Sequence, residues 1–334
     1  MPKFSIILPV RNGGEYVKEC VASILAQNCT DFNLHVLDNC SSDGTLDWIR
    51  SVSDERIVIY PSDKPLSIED NWARILSISK NEFMTCIGHD DILLPDYLAE
   101  MNELIEKFPG AALYQSYFNF IDAKGAVIRP CKPVNEKESA AEFLYRILTN
   151  DIDVNGTGFM TRSAAYEAMG GIPAYPNLLF ADLHLWIDIT RPSYKITSKA
   201  NCFSYRLHQS MTSTSADESF HAAFERFVNY LHSLKLQDPA LGEVVNNKAK
   251  NILSFYCRSF SHRLLRTEMK QRNGYTVKEW AKKCDGYADL LTDNNSYKPS
   301  AISSVRLAQF IDSNAFTRKL FLVFKKIYPK PIFK

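Results

Sequence analysis

Three groups of polar residues follow predicted strands in the first 91 residues, and their side chains suit a ligand with hydroxyls, an imide edge and a charged group. The first group spans residues 9–12, the second begins at Asp38, and the third ends in the pair Asp90 and Asp91. Because ligands of open parallel sheets bind beyond the carboxyl ends of the strands, we expect the three groups to line one crevice.

The pair Asp90 and Asp91 follows a hydrophobic strand and precedes the apolar run Ile92 to Leu94. Two carboxylates at a strand end suit a hard divalent cation, Mg²⁺ or Mn²⁺, that bridges phosphate oxygens. Alternatively, Asp91 caps the following helix or both side chains are solvated. The pair alone leaves both interpretations open.

The elements that must position these groups alternate between short apolar runs and amphipathic helical stretches, which predicts βαβ units and a parallel sheet. Predicted strands cover residues 3–9, 33–37, 56–60 and 82–87, and predicted helices cover 45–52 and 69–79. Between the first two strands, apolar residues recur at helical spacing and predict a helix with one buried face: Val17, Cys20, Val21, Ile24 and Leu25.

The chain changes character twice after residue 110. Strand patterns at 111–120 and 127–129 and a helix at 139–148 predict the second half of the same domain, which we place at 1–215 with halves 1–110 and 111–215. Helical patterns at 220–234 and 244–265 predict a helical C-terminal region over 216–334.

Composition restricts the class of protein. The 334 residues are 46% hydrophobic and 23% charged, which is typical of a folded globular chain. Lys and Arg total 39 against 38 Asp and Glu, so no chain-wide positive field favours nucleic acid as a partner. The eight cysteines include no CxxC pair, and we interpret them as reduced thiols. No apolar run reaches the roughly 20 residues of a membrane span and the start has no signal-peptide layout, so we expect a cytoplasmic protein.

Several segments together carry a resemblance to a known family. FSIILPVRNGGEYVKECVASILAQ (4–27), HVLDNCSSDGT (35–45) and NEFMTCIGHDDILLPD (81–96) resemble the N-terminal half of a family 2 glycosyltransferase. The resemblance continues more loosely through NGTGFMTRSAAYEAMGGIP (155–173), FADLHLWIDI (180–189) and YRLHQSMTS (205–213). It implies an α/β fold of the GT-A (Rossmann-like) class, a mixed, mostly parallel sheet flanked by helices, with a helical C-terminal appendage.

The resemblance implies a nucleoside-diphosphate sugar as donor, bound by the half 1–110. Pro9, Arg11 and Asn12 would lie near the nucleotide. Asp38 would accept a hydrogen bond from the base, and Asn71 would lie beside the donor.

The resemblance also assigns a cation site. Asp90 and Asp91 match the latter part of the family's DxDD motif, which contacts ribose and a metal-bound diphosphate, while Gly88 replaces the first aspartate. Arg206 and His208 resemble the family's RxH element, in which His208 would ligate Mn²⁺ or Mg²⁺ and Arg206 would neutralise the departing diphosphate. A solvated loop is the alternative for both.

On the acceptor side, Asp182 matches the catalytic base of inverting members. A base is required because a sugar hydroxyl is a poor nucleophile until its proton is being removed. The alternative is that Asp182 only caps a helix. Gly156 and Thr157 resemble the acceptor-side floor, or they form only a turn. His184 is a further candidate to touch the acceptor, with a surface or packing histidine as the alternative.

These assignments predict an inverting transferase that moves a sugar onto a glycan or lipid-linked oligosaccharide in bacterial surface polysaccharide (O-antigen or capsule) biosynthesis. The alternative, motivated by Gly88, is a catalytically inactive nucleotide-sugar-binding scaffold beside another transferase. A nucleotidyltransferase is disfavoured because PVRNGG lacks the expected phosphate loop. The sequence is compatible with a homo-oligomer and does not define the oligomeric state.

Residues 316–334 form a basic amphipathic segment with six basic and no acidic residues. It is too short to span a bilayer and suits an anionic membrane surface, which would place the protein at the inner face of the cell membrane. The alternative is a helix that docks onto its own body or a second subunit, and the sequence leaves the two open.

Overall fold

The computed structural model describes residues 2–207, 218–272, 274–294 and 296–328. The chain divides into two compact units, one of residues 1–147 with 151–210 and one of residues 148–150 with 211–334. The predicted boundary after residue 215 falls in the segment 208–217, outside the described residues.

The first unit contains strands β1 to β10 and helices α1 to α7. The strands are β1 (Phe4–Val10), β2 (Phe32–Asp38), β3 (Ile57–Pro61), β4 (Phe83–Cys86), β5 (Ile92–Leu93), β6 (Leu113–Ile121), β7 (Val127–Pro130), β8 (Lys137–Glu138), β9 (Phe159–Arg162) and β10 (Lys195–Arg206). The helices are α1 (Gly14–Leu25), α2 (Thr45–Ser51), α3 (Ile68–Ala73), α4 (Tyr97–Lys107), α5 (Ala140–Thr149), α6 (Ser163–Ala168) and α7 (Ala181–Thr190).

The strands of the described residues form one mixed sheet in the order β3-β2-β1-β4-β9-β6-β10-β5, with β7 paired to β6 and β8 to β10. The half made by the first four strands is parallel, as the alternation of strands and helices predicts. In the second half β9 runs antiparallel between β4 and β6, whereas β10 is parallel to β6. The result is the α/β fold with a mixed sheet flanked by helices that the resemblance implies.

Strand β1 lies at the centre of the parallel half. All seven of its residues are buried, because β2 and β4 flank it and helices cover both faces of such a sheet. Helix α1 packs on this layer through Val17, Cys20, Val21 and Ile24, which confirms the predicted apolar stripe. The turn into α1 is tight: a Cβ on Gly13 would lie 2.7 Å from the Cβ of Val17.

Strand β10 is an element that the sequence patterns do not predict. Its twelve residues pair with β6, far away in sequence, and the pairing is interrupted by register shifts between Ser198 and Phe203. No local period predicts such a partner, because pairing with a distant strand is decided by the assembled core. This strand ends at Arg206, so it carries the last of the described candidate site residues.

A buried ionic cluster joins β8, β10 and α5. The Lys195 ammonium lies 2.6 Å from the Glu138 carboxylate, and both side chains are fully buried. Arg146 adds a second contact to Glu138 at 3.2 Å, and Thr197 accepts a hydrogen bond from Lys195 at 2.8 Å. Burial lowers the pKa of Lys195, and the neighbouring Glu138 opposes that shift.

The second unit is helical. Its helices are α8 (Glu218–Gln237), α9 (Pro239–Arg266), α10 (Val277–Leu291), α11 (Ser303–Asp312) and α12 (Ala315–Ile327). Its core is aromatic, with Phe220 and Phe260 stacked at 4.3 Å and Trp280 fully buried beside them. Asp238 caps α9, and a capping box formed by Thr276 and Glu279 begins α10. Among the described residues no helix is both long and apolar enough to cross a membrane.

We expect Glu138→Ala to lower the free energy of unfolding by about 3–5 kcal/mol, because it leaves the Lys195 charge buried without its counter-charge. Chemical denaturation monitored by circular dichroism measures this loss. Glu136→Ala is the matched control: Glu136 is exposed and lies 3.8 Å from an exposed Lys107, so its loss should change stability by less than about 1 kcal/mol. Equal effects of the two substitutions would contradict the prediction.

Candidate active site

The carboxyl end of β2 presents a buried carboxylate with an unused acceptor. Asp38 is fully buried, and its Oδ2 accepts a hydrogen bond from the backbone N–H of Ser41 at 3.2 Å. Its Oδ1 has no hydrogen-bond partner among the described residues. Because a buried acceptor without a donor is costly, Oδ1 is a strong candidate to receive an N–H from a ligand.

The neighbouring loop after β1 is held by Asn12. This residue has a φ of 53°, its N–H donates to Ser41 Oγ at 2.9 Å, and its Oδ1 accepts from the N–H of Ser42 at 2.8 Å. Pro9 is buried within β1, whereas the Arg11 side chain is exposed. Asn12 therefore joins the β1 and β2 loops, and both Arg11 and Asn12 are exposed to solvent.

Sequence reasoning identified Asn71 and missed its partner Arg74. Asn71 is buried in α3, and its Oδ1 accepts from Arg74 Nη1 at 2.9 Å. The same guanidinium donates to the carbonyl oxygens of Asp38 at 3.0 Å and Tyr60 at 2.6 Å. Burial lowers the pKa of Arg74, and Asp38 opposes the shift. Arg74 thus packs against the end of β2 beside Asp38, and the i, i+3 spacing from Asn71 is its signal in the sequence.

Asp91 lies inside the protein, at the point where three elements meet. It is 2% exposed; Oδ1 accepts from the backbone N–H of Arg206 at 3.0 Å, and Oδ2 accepts from Thr157 Oγ1 at 2.8 Å. Burial, together with the nearby Asp90 charge, raises the pKa of Asp91 well above its usual range. The carboxylate therefore connects the end of β4, the 155–158 loop and the end of β10.

Gly88 explains how the two carboxylates come together. A Cβ built on Gly88 would lie 2.8 Å from Asp90 Oδ1 and 2.9 Å from Asp91 Oδ2, so both side chains turn toward the same backbone position. No larger residue fits there without moving them. A side chain at position 88 would therefore displace the carboxylates of Asp90 and Asp91 from their present positions.

Asp90 Oδ1 and Asp91 Oδ2 are a pair of carboxylate oxygens, the kind of ligand that a hard divalent cation prefers. The third predicted ligand, His208, lies outside the described residues. Within the described part of the chain, no group of three His, Cys, Asp or Glu side chains is placed to hold a metal ion. Asp90 and Asp91 therefore supply two carboxylates, and a cation held there would need further ligands.

The Arg206 side chain is bonded to other groups of the protein and is buried. Its side chain is 1% exposed, and its Nε donates to the carbonyl of Asp90 at 2.7 Å. Nη2 pairs with Glu19 at 2.6 Å, and Nη1 donates to the carbonyls of Asp122 and Ala123. The guanidinium thus positions the Asp90 backbone, while its predicted contact with a departing diphosphate stays a prediction.

Asp182 lies in the first turn of α7, after Phe180 in the left-handed conformation. The N-cap residue is Phe180, and the Asp182 carboxyl accepts a hydrogen bond from the backbone N–H of Leu183 in the first turn. A Cβ on Gly156 would lie 3.6 Å from Asp182 Cβ and 3.9 Å from its Oδ2. Burial raises the pKa of Asp182 to about 6, and the N–H of Leu183 opposes the shift. The carboxyl is therefore poised to change protonation near neutral pH.

One loop joins the two acidic positions. Thr157 bonds to Asp91, the adjacent Gly156 lies against Asp182, and the indole N–H of Trp186 in α7 donates to the carbonyl of Asn155 at 3.1 Å. The loop 155–158 therefore brings carboxylates that are about 90 positions apart in sequence into one site.

Tyr205 is a second residue that sequence reasoning missed. Burial raises the pKa of its phenol, and the charges of Asp91, Asp90 and Asp182 raise it further. The ring lies in β10 and contacts Phe120 edge to face at 5.8 Å. The phenol thus lies in the field of all three carboxylates. No local signal marks this role, because Tyr205 resembles an ordinary strand residue in the sequence.

His184 is held from both sides. Its Nδ1 lies 3.0 Å from the hydroxyl of buried Tyr175, and its Nε2 lies 3.2 Å from Asp188. Both ring nitrogens have protein partners, so this histidine braces α7. Its predicted contact with an acceptor stays a prediction.

Several curated proteins that resemble the chain are described as glycosyltransferases. It is 24% identical over 220 residues to an uncharacterized glycosyltransferase of Rickettsia typhi, which covers 64% of this chain and 67% of the relative. It is 32% identical over 118 residues to a PGL/p-HBAD biosynthesis glycosyltransferase of Mycobacterium tuberculosis, covering 34% and 46%. GlyG of Streptococcus pneumoniae is 22% identical over 123 residues, covering 36% and 41%.

Solved structures share the fold. S. aureus TarS 1-349 matches with a TM-score of 0.65 at 14% identity and covers 98% of this chain and 93% of its own; the same protein is also known in complex with UDP-GlcNAc. A mannosyltransferase from Pyrobaculum calidifontis, in complex with GDP-Man and Mn²⁺, matches with a TM-score of 0.50 at 13% identity and covers 97% and 88%. At these identities the likeness shows the GT-A fold.

The sequence model described as Glycosyl transferase family 2 matches residues 5–169, which contain the parallel half of the sheet, both aspartates of the cation pair and the 155–158 loop. This part of the chain is therefore similar to family 2 glycosyltransferases.

Proposed function

We propose that this protein transfers a sugar from a nucleoside-diphosphate donor to a hydroxyl of a glycan acceptor, with inversion at the anomeric carbon. The observation that carries the proposal is the loop 155–158, whose Thr157 bonds to Asp91 while its Gly156 lies against Asp182. A carboxylate pair suited to a divalent cation, which in turn would bind a diphosphate, thus lies close to a separate carboxyl suited to a general base. The similarity to family 2 supports the transferase class.

The donor nucleotide would bind at the Asp38 pocket. The unused Oδ1 of Asp38 accepts an N–H, which the imide edge of a uracil or the N–H groups of a guanine provide. Arg74 and Asn71 hold the wall of this pocket. Similar structures in complex with UDP-GlcNAc and GDP-Man support a nucleotide-sugar donor and leave its base and sugar open.

Asp90, Asp91 and His208 would hold a divalent cation, Mn²⁺ or Mg²⁺. When bound, the ion supplies positive charge that stabilises the departing nucleoside diphosphate. The donor set of two converging carboxylates fits this role, and the Mn²⁺ complex of a similar fold supports it.

Asp182 would remove the proton from the acceptor hydroxyl as that oxygen attacks the anomeric carbon. Its carboxyl is desolvated and has a pKa of about 6, close to the optimum for a base that works near neutral pH. Attack from the Asp182 side and departure toward Asp90 and Asp91 would occur on opposite faces of the sugar, and this would invert its configuration.

We extend the proposal to an acceptor of bacterial surface polysaccharide, a glycan or lipid-linked oligosaccharide of the O-antigen or capsule type. Curated relatives from Rickettsia, Streptococcus and Mycobacterium support a bacterial setting. Donor binding without any turnover across a panel of acceptors and cations would instead support a catalytically inactive scaffold.

The base is tested by Asp182→Asn, which preserves shape and removes basicity. We expect kcat to fall by at least about 10²-fold, the lower end of a general base's contribution, while the Kd for the donor changes by less than about threefold. Transfer of a radiolabelled sugar and calorimetric donor titration measure the two quantities. Asp47→Asn, whose side chain is exposed on α2, is the matched control and should retain transfer. Wild-type turnover of Asp182→Asn would assign the base to another residue.

The pH dependence follows from the raised pKa of Asp182. The kcat/KM of the wild type should fall as the pH drops below about 6, because the protonated carboxyl cannot accept a proton. Initial rates measured across the acid range check this expectation, and a rate that stays constant down to about pH 4.5 would contradict it.

The same shift affects stability. The neutral Asp182 carboxyl makes its full contribution to the free energy of unfolding below the ordinary carboxyl pKa. This contribution is lost as the pH rises through about 6, where the buried group ionises. Asp182→Asn should therefore be more stable than wild type at pH 7.5 by about 1–3 kcal/mol and equal to it near pH 3. Urea titrations at both pH values measure the difference; a gap that does not change with pH would exclude ionisation of Asp182 as its cause.

The nucleotide pocket is tested by Asp38→Asn. The new amide has one oxygen where the carboxylate has two. If that oxygen accepts from the N–H of Ser41, the amide NH₂ takes the place of Oδ1 and faces the N–H of the base, which is also a donor. We expect binding of the preferred nucleoside diphosphate to weaken by about 10- to 100-fold, as for an unpaired buried polar group. Calorimetry with uridine, guanosine and thymidine diphosphates identifies that nucleotide. Asp47→Asn, whose side chain is exposed on α2, is the control. Unchanged nucleotide affinity in Asp38→Asn would remove the proposed pocket.

A further inference from the structure

Helix α12 presents its apolar stripe away from the protein. Its five outward apolar side chains recur at i, i+4, i+7, i+8 and i+11, and they are between 49% and 68% exposed: Phe316, Leu320, Val323, Phe324 and Ile327. A helix that packs on its own domain places such a stripe against the core. We call these five residues the α12 stripe.

The opposite face of α12 anchors it to its own unit. Arg318 is buried and donates through Nη2 to the carbonyl of Thr267, and Thr317 Oγ1 donates to the carbonyl of Ile311 at 2.9 Å. The ring of Phe321 contacts His262 edge to face at 5.7 Å. These contacts fix the rotation of the helix about its axis. The outward direction of the α12 stripe is therefore set by polar and aromatic packing on the other side.

The segment of sequence that carries the stripe is basic and contains no acidic residue. Lys319 and Lys326 are exposed on α12, and Lys325 lies 5.8 Å from the ring of Phe324. From Ser313 to the last residue the sequence contains six Lys or Arg and no Asp or Glu. Cations at the border of an apolar stripe are the arrangement found in helices that lie on anionic bilayers.

The preceding helix contributes further exposed apolar surface. Leu307 and Phe310 on α11 are 59% and 64% exposed. Leu307 also lines a groove of about 570 Å³ with Phe255 and Phe321, at whose wall the basic side chains of Arg258 and His262 lie. Apolar exposure on this scale is uncommon in soluble monomers and marks an interaction surface.

We propose that the α12 stripe and its lysines dock the protein onto the surface of an anionic lipid bilayer, with the helix parallel to the membrane plane. The 13 residues of α12 are too short to span a bilayer. The apolar side chains would enter the boundary of the acyl chains, and the lysines would meet anionic headgroups. A second copy of the chain is the weaker occupant, because it would bring lysines against lysines. This inference does not depend on the proposed function.

Vesicle sedimentation of the full chain tests the proposal, without donor or acceptor. We expect the wild type to sediment with vesicles of phosphatidylcholine and phosphatidylglycerol and to bind more weakly as salt rises or when phosphatidylglycerol is left out. The triple variant Leu320→Gln, Phe324→Gln, Ile327→Gln should lose at least about tenfold in partition coefficient, because each side chain removes apolar area from the contact. Lys319→Gln with Lys326→Gln should lose about 25-fold on anionic vesicles, from roughly fivefold per lysine.

Matched control variants distinguish vesicle binding by the α12 stripe and its lysines from nonspecific adsorption. The triple variant Val127→Gln, Leu236→Gln, Met269→Gln removes similarly exposed apolar side chains elsewhere, and Lys278→Gln with Lys282→Gln removes exposed lysines of α10. Both should bind as the wild type does. All substituted positions are exposed, and circular dichroism checks that each variant is folded.

Two outcomes would overturn the proposal. In the first, the wild type stays in the supernatant with anionic vesicles, or the α12 triple variant binds as well as the wild type. In the second, light scattering shows that the wild type is an oligomer which the α12 triple variant converts to a monomer, with no vesicle binding by either; the stripe then belongs to a second copy.

Discussion

Two like-charged carboxylates side by side after the end of β4 are the constraint on which the site depends. Asp90 and Asp91 turn toward Gly88, and burial together with their mutual repulsion disfavours the ionised state of Asp91. The arrangement persists because hydrogen-bond donors surround the pair: the backbone N–H of Arg206 and the hydroxyl of Thr157 bond to Asp91. Each of these donors comes from a different element, so the anionic pair also joins β4, β10 and the 155–158 loop.

The same physical conflict between burial and charge recurs at Asp182. Desolvation raises its pKa to about 6, which is unfavourable for folding at neutral pH and favourable for proton removal. A carboxyl kept in such a place, beside a glycine that allows close approach, lowers the stability of the fold, and a neutral substitution would restore it. Destabilised groups of this kind are concentrated at functional sites.

Each of the two surfaces to which we assign ligands contains a group in an unfavourable environment. In the first unit, Asp38 Oδ1 is a buried acceptor without a donor among the described residues. In the second unit, the α12 stripe is an apolar surface that stays open to water in the described part of the chain, although the helix that carries it is firmly bonded on its other face. Asp38 Oδ1 requires a hydrogen-bond donor, whereas the α12 stripe requires removal from water. The two surfaces therefore point to chemically different partners.

The sequence by itself determined the local features: strands that end at Asp38 and before Asp90, the buried stripe of α1, and the helical character of the chain after residue 216. Period and residue type suffice for these, because they reflect the burial of each element's own face. The tertiary structure alone decided which distant groups meet. In the folded chain Arg206 pairs with Glu19, and Gly156 lies against Asp182. Strand β10 pairs with β6, and Arg74 and Tyr205 join the site. The tertiary structure also turned the apolar stripe of α12 outward, where the composition of residues 316–334 leaves both faces open. Contacts between residues far apart in sequence depend on how the whole core packs, and no local pattern encodes that.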